Sequence, residues 1–359
     1  MSPKKKILWL ILGATVAVIA LSIAIATIVI TRVTPSPVPL IQPEGPVLLA
    51  TNQNERTVTV VEVRTGRFVA NIPVGDSPHE IAASPNGHWA VATLPGSFNF
   101  FQALRGAGGD KLVVIDVATA TLRRTIDLGE DSSPHGIAFL SDNRTVVATS
   151  GPRQSVVLAD IEAGAALDAI SAGSNARPHI LAVSGDRQSV YSANLEGGTI
   201  SEIDVAARTL RRAIPFPGEP VVIAVPPDGG GAWVIECDKY GRYTLAVVDL
   251  ATGAIVARFD GFELPRRVGI SPDSALALIT DPERDEIRIY DAPARRELGR
   301  VSTGEGTGPS GVSFAPDSRL AYVALQSGEI AEIDLIAQTV ARRFKTTRTG
   351  LDGLVYIHR

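Results

Sequence analysis

SPHEIAASPNGHWAVAT (77–93) is the stretch that decides the fold, because the chain repeats it. SPHGIAFLSDNRTVVAT (133–149), RPHILAVSGDRQSVYSAN (177–194), EPVVIAVPPDGGGAWVIE (219–236), LPRRVGISPDSALALITD (264–281) and GPSGVSFAPDSRLAYVAL (308–325) follow the same order of proline, apolar run, turn and second apolar run. A last copy, GLDGLVYIHR (350–359), stops after one strand. The copies start at Pro78, Pro134, Pro178, Pro220, Pro265 and Pro309. A period of about 40–50 residues holding four short strands is the signature of a β-propeller.

The strands are bounded by turn chemistry. Asn86-Gly87 and Asp228-Gly229 close the first hairpin of their copies, where positive φ costs a glycine little. The third strand of each copy ends in an acid: Glu62, Asp116, Asp160, Asp204, Asp249, Asp291 or Asp334. A carboxylate before a tight turn accepts from nearby backbone amides, so these seven are read as turn caps. Residues 46–75 offer three strands, and the final half-copy offers the fourth of the same sheet. One blade built from both chain ends leaves no sheet edge open. The expected fold is all-β, a seven-bladed propeller over 46–359 in one domain.

Ahead of it, residues 7–31 carry no charged side chain. Twenty-five residues at about 1.5 Å each cross a hydrocarbon layer of about 30 Å with some tilt. Lys4, Lys5 and Lys6 form a basic start at 1–6 and hold that end in the cytoplasm. The expectation is a single-pass transmembrane anchor with the propeller outside, periplasmic or on the cell surface. A cleaved signal peptide is the rival, but its apolar core is shorter as a rule. Residues 32–45 follow as a proline-rich, stiff linker with Pro35, Pro37, Pro39 and Pro43. A propeller that closes on itself is expected to act as a monomer.

Setting aside Lys4, Lys5, Lys6 and Arg32 leaves 30 basic against 38 acidic residues, a net of about −8. That balance argues against nucleic-acid binding, which rests on phosphate neutralisation. The pairs Arg123-Arg124, Arg211-Arg212 and Arg342-Arg343 fall on outer strands, where charge protects exposed edges. The single cysteine, Cys237, excludes an internal disulfide, and its acidic neighbours raise rather than lower a thiol pKa.

The text SVYSANLEGGTISEIDVAARTL (189–210) and LAYVALQSGEIAEIDLIAQTV (320–340) resembles the YVTN-repeat propellers of the YncE-like kind. The resemblance covers 46–359. It implies the fold and leaves activity open, since such propellers host binding modules, scaffolds, hydrolases and oxidoreductases. It also implies kinship with the d1-haem domain of nitrite reductases and a relative acting in d1-haem assembly, both exported and both using channel histidines.

In a propeller the first strand of each blade lines the channel, so the residue after each proline shares one rim. That slot reads His79, His135, His179, Val221, Arg266, Ser310 and Asp352. Glu80 follows His79, and the loops after the second strands bring Asn194, Glu236 and Asp281 to the same face. Three imidazoles can bind a transition metal or a haem-like group, or serve a polar ligand. They can also be ordinary strand-start chemistry. Between Thr93 and Lys111 an insertion carries Phe98, Phe100, Phe101 and Arg105, expected as a lid or docking loop on that face. The reading is a non-catalytic propeller that binds a ligand or protein partner on its top face. One alternative is a metal- or haem-linked oxidoreductase or assembly factor, although no CxxCH is present to hold a c-type haem. A second is a lactonase-type hydrolase, whose Ca²⁺ site favours carboxylates and asparagine over imidazole.

Overall fold

The computed structural model describes residues 45–96, 109–346 and 349–358. Seven four-stranded antiparallel sheets make up this part of the chain. The innermost strands are Ile81–Ala83, Ile137–Phe139, Pro178–Val183, Glu219–Ala224, Arg267–Ile270, Pro309–Phe314 and Leu351–Ile357. Blades 1 to 6 are read here in that order, and the blade of Leu351–Ile357 is the closing one. Its sheet runs Leu351–Ile357, Val47–Asn52, Thr57–Glu62, Phe68–Pro73, so the two chain ends do share one sheet. The pairing sets Val47 opposite Ile357 and Leu49 opposite Val355. The expected all-β, seven-bladed propeller is present, with one 3₁₀ turn at Pro282–Arg284.

Middle strands are apolar on both faces because each blade packs on two neighbours. Ser155–Asp160 and Val47–Asn52 are buried at every position. Outer strands alternate, as in Thr209–Pro215. The cores lie between blades: Val91, Leu112, Val114 and Ile126 of blade 1 pack with Phe139, Val146, Ala148 and Val157 of blade 2. Burial of such apolar surface is the main force holding the ring.

The turn acids act as expected. Asp160 Oδ1 accepts from the amides of Glu162 and Ala163, and Asp334 Oδ1 from Ile336 and Ala337. The arginine pairs require a correction. One arginine of each pair reaches the next blade rather than only guarding an edge. Arg124 Nη1 donates to Glu162 O at 2.6 Å. Arg212 donates to the carbonyls of Leu250 and Ala251. Arg342 donates to Val63 O and Arg64 O, which lie in the closing blade. The guanidinium fork suits two adjacent carbonyls, so the outer strands are stitched in series.

Among the described residues, no helix is long and apolar enough to cross a membrane. The expected span at 7–31 and the linker at 32–45 lie outside them, apart from Gly45, as do Phe98, Phe100, Phe101 and Arg105.

Candidate functional site at the channel mouth

The three histidines of the repeat slot meet. Ring centroids of His79 and His135 are 5.1 Å apart, those of His135 and His179 4.9 Å, and those of His79 and His179 6.4 Å. A threonine from the preceding blade fixes each. Thr51 Oγ1 donates to His79 O at 2.7 Å, Thr93 to His135 O at 3.0 Å, and Thr149 to His179 O at 2.8 Å. Each hydroxyl also accepts an amide of its own blade, from Gly353, Glu80 and Gly136 respectively. Thr280 repeats the device, donating to Ser310 O and accepting from Arg267 N. These threonines recur in the sequence as LLATN (48–52), AVATL (90–94), VVATS (146–150) and ALITD (277–281). That regularity was the available signal for a blade-to-blade latch, and reading only the histidines misses it.

Two rings are tied by Nδ1 to carbonyl oxygens, His135 to Ser133 O at 3.1 Å and His179 to Val221 O at 2.8 Å. A carbonyl only accepts, so Nδ1 carries the proton in each neutral ring and Nε2 holds the lone pair. Burial, then the neighbouring histidines His79 and His179, push the His135 pKa down to about 3. Burial is also the main cause at His179, lowered to about 4. Both are neutral at ordinary pH.

Beside them lies an ion-pair network. His79 sits between carboxylates, with Nδ1 3.3 Å from Glu80 Oε1 and Nε2 3.6 Å from Asp352 Oδ2. Asp352, nearly all buried, gathers five partners: Gln53 Nε2 at 2.5 Å, Ser310 Oγ at 2.7 Å, Arg266 Nε at 3.1 Å, Arg267 Nη2 at 3.3 Å and His79. Burial alone would raise this carboxyl, but Arg267, His79 and Arg266 hold it well below the usual range. Glu80 pairs with Arg267. There too burial works upward and Arg267 outweighs it, so the Glu80 carboxyl ends below its ordinary value.

Arg267 was missed by the sequence reading, which took Glu80 from this second slot in the first copy and only the residue after proline in the fifth. It stands two residues after Pro265, in register with Glu80 two after Pro78, and the two meet across the channel. A polar pair in that second slot, otherwise Gly136, Ile180, Val222, Gly311 and Gly353, was the visible hint. A cavity of about 320 Å³ is lined by Glu80 and Arg267 together with inner-strand residues such as Ile180, Val222, Gly311 and Leu354.

Other expected members do not join. Asn194 spends its amide inside its own blade, donating to Thr199 Oγ1 and Ser201 Oγ and accepting from Ser192. Glu236 pairs with Arg258 and accepts from Thr244 Oγ1. Asp281 accepts from the amides of Glu263 and Leu264. All three stand at the ends of second strands, Ser189–Asn194, Ala232–Cys237 and Leu276–Asp281, and their side chains bond to neighbouring strands and loops instead of to the histidine cluster. Cys237 has its pKa raised by burial first, then by Glu219 and Asp238, which keeps the thiol protonated. His88 and His358 are exposed, away from the slot. As they stand, no three His, Cys, Asp or Glu side chains among the described residues are placed to hold one metal ion.

No family model matches the chain. No curated protein matches it either. Among solved structures it is similar to a chain of Kuenenia stuttgartiensis hydrazine synthase, with a TM-score of 0.62 and 17% identity over 77% of this chain and 86% of that one. At that identity the likeness concerns fold alone. The chain is a seven-bladed β-propeller with a histidine, arginine and carboxylate cluster at one rim of its channel.

Proposed function

We propose that this protein is a membrane-anchored, extracytoplasmic propeller that binds a ligand or protein partner at the channel mouth without chemistry of its own. The observation that carries the reading is the meeting of His79, His135 and His179 beside Arg266, Arg267, Glu80 and Asp352. Their mounting in or at the entry of the inner strands, latched by threonines, is what a preorganised binding site needs. The apolar run at 7–31 and the linker after it support the tether. A relation to YncE-like propellers belongs to the same proposal and rests on the repeat text.

A metal- or haem-linked role is the second reading. What favours it is the Nδ1 tie of His135 and His179 to backbone carbonyls, the usual support for a metal-ligating imidazole. The residues fit such a group in donor type and not in present convergence. A lactonase-type site has less support, since the oxygen ligands Asn194, Glu236 and Asp281 are engaged elsewhere.

A thermal-shift screen on the full-length chain in mild detergent, run beside His135→Ala/His179→Ala, tests the binding reading. Ligands that stabilise the parent protein by several degrees and lose that effect in the variant support it. Ligands that stabilise both alike would place binding elsewhere. Metal analysis of the same two proteins separates the second reading.

A further inference from the structure

We infer that the cavity lined by Arg267 and Glu80 is a pocket for a small, neutral, mainly apolar molecule whose oxygen accepts a hydrogen bond from Arg267 Nε. Such a pocket presupposes that a ligand binds at the channel, as proposed above, and it fixes the chemical class of that ligand.

Topology places the cavity among the inner strands. Its walls come mainly from Pro178–Val183, Glu219–Ala224, Arg267–Ile270, Pro309–Phe314 and Leu351–Ile357, with Glu80 just ahead of Ile81–Ala83. Six of the seven blades therefore contribute to it. Its volume of about 320 Å³ stands at the small end of ligand pockets, which run from about 300 to 1,000 Å³. Ile180, Val222, Val268, Val312 and Leu354 give it aliphatic walls. Each of the five strands has a sheet partner on one side only, so part of its backbone N–H and C=O groups lies outside the ladder. Walls of that kind suit a compact apolar body that still carries a polar atom.

Arg267 supplies the specific demand. Among the described residues that line the cavity, Glu80 and Arg267 alone are charged, and they pair with each other. The arginine is 9% exposed. Its Nη1 donates to Arg266 O at 3.0 Å, and its Nη2 to Asp352 Oδ1 at 3.3 Å. Nε–H is left over: it is buried, and no acceptor meets it among the described residues. A buried donor without an acceptor is costly, the more so on a charged group.

The acceptor that answers it is a neutral one. The guanidinium is already balanced by carboxylates, so an anion would bring a buried charge with no cation left to meet it. A carbonyl, ether or hydroxyl oxygen satisfies Nε–H and adds no charge. A lone water, about 30 Å³ in the liquid, would satisfy the same donor and leave most of the volume unfilled.

Cyclohexanone and methylenecyclohexane are the probes, alike in shape and differing in the oxygen. Each is titrated into the full-length chain in mild detergent, labelled in its Ile, Leu and Val methyls and in arginine ¹⁵Nε. Free probe is set through the vapour phase, so that uptake by detergent does not count. Cyclohexanone is expected to shift the methyls of Ile180, Val222, Val312 and Leu354 saturably and to move the Arg267 Nε–H resonance, which methylenecyclohexane leaves in place. Arg267→Lys keeps the charge and loses that N–H. Ketone affinity should fall about tenfold or more in it, and methylenecyclohexane affinity should stay within about twofold. If Arg267→Lys does not fold, Ala224→Leu replaces it: Ala224 is half-buried and lines the cavity, and the larger side chain should abolish the saturable shifts of both probes. An Arg267 Nε–H resonance that ignores saturating ketone would overturn the inference and leave water as the partner of that donor. Tighter binding of cyclohexanecarboxylate than of cyclohexanone would overturn it in favour of an anion. If the ketone fails while a ligand from the screen still requires His135 and His179, the pocket chemistry falls alone and the mouth remains the ligand site.

Discussion

Asp352 shows how much one side chain can organise. It comes from the C-terminal strand, yet it contacts Gln53 of the N-terminal strand region, Arg266 and Arg267 of blade 5, Ser310 of blade 6 and His79 of blade 1. Removing a partner from a buried ion pair leaves the other charge unanswered, at a cost of about 3–5 kcal/mol. Asp352→Asn is therefore expected to lower unfolding stability by that order in urea, while Gln53→Ala costs about 1 kcal/mol. A loss below about 1 kcal/mol for Asp352→Asn would show that Glu80 alone balances both arginines. The histidines give a second prediction. His135 and His179 titrate below an unfolded imidazole, near 3 and 4 against about 6.5. A depressed imidazole favours the fold while neutral, so its contribution is complete above about pH 6.5 and fades as pH falls toward 4 and 3. Each site is worth on the order of 3 kcal/mol at neutral pH, less any relief from partial exposure of the rings. Urea midpoints should fall between pH 6.5 and 4, and His135→Asn/His179→Asn should flatten that limb. An unchanged slope in the variant would assign acid sensitivity to the carboxylates.

At the scale of single strands and turns, the latches decide whether the site keeps its shape. Thr149 Oγ1 accepts from Gly136 N at 2.9 Å and from His135 N at 3.2 Å, and donates to His179 O at 2.8 Å. Thr149→Val keeps the side-chain volume and leaves these groups without the hydroxyl, at a cost of about 1–3 kcal/mol. Urea unfolding measures that loss, and the imidazole ¹⁵N shifts of His135 and His179 should move with it, since both backbones hang on this hydroxyl. Shifts that stay fixed would mean the inner strands hold the rings without it. The same strands explain what the sequence could reveal. Turn acids, inner prolines and the closing half-copy are local or periodic, and periodicity survives in the text, so blade count and the histidine slot were legible. Asn194, Glu236 and Asp281 were expected at the channel mouth, and their side chains bond to neighbouring strands and loops instead. Side-chain direction at a strand end depends on the bulge and the neighbouring blade, which spacing does not encode. Arg267 escaped because its partner Glu80 lies 187 residues away in sequence and only the ring brings them together.

For the whole molecule, closure and site are one event. The strand Leu351–Ile357 pairs with Val47–Asn52, and the same strand carries Asp352 into the mouth. Gly353 N donates to Thr51 Oγ1 at 2.8 Å, and Thr51 in turn fixes His79. Ring closure therefore builds the latch that positions the first histidine. Deleting residues 351–359 exposes the edge of Val47–Asn52 and removes Leu351, Leu354 and Ile357 from the core. At about 1.5–3 kcal/mol for each buried aliphatic side chain, the loss approaches the whole margin of about 5–15 kcal/mol that holds a typical domain folded. The truncated chain is expected to lose its cooperative thermal transition and to elute as aggregate, because an open strand edge recruits other chains. Supplying the missing strand as a peptide separates the two contributions. A peptide of the sequence GLDGLVYIHR should restore both the transition and the imidazole shifts of His79, whereas the same peptide with asparagine at the Asp352 position should restore the transition more weakly and leave those shifts displaced. Equal rescue by both peptides would show that closure needs only backbone pairing and apolar burial, and that the carboxylate serves the mouth alone.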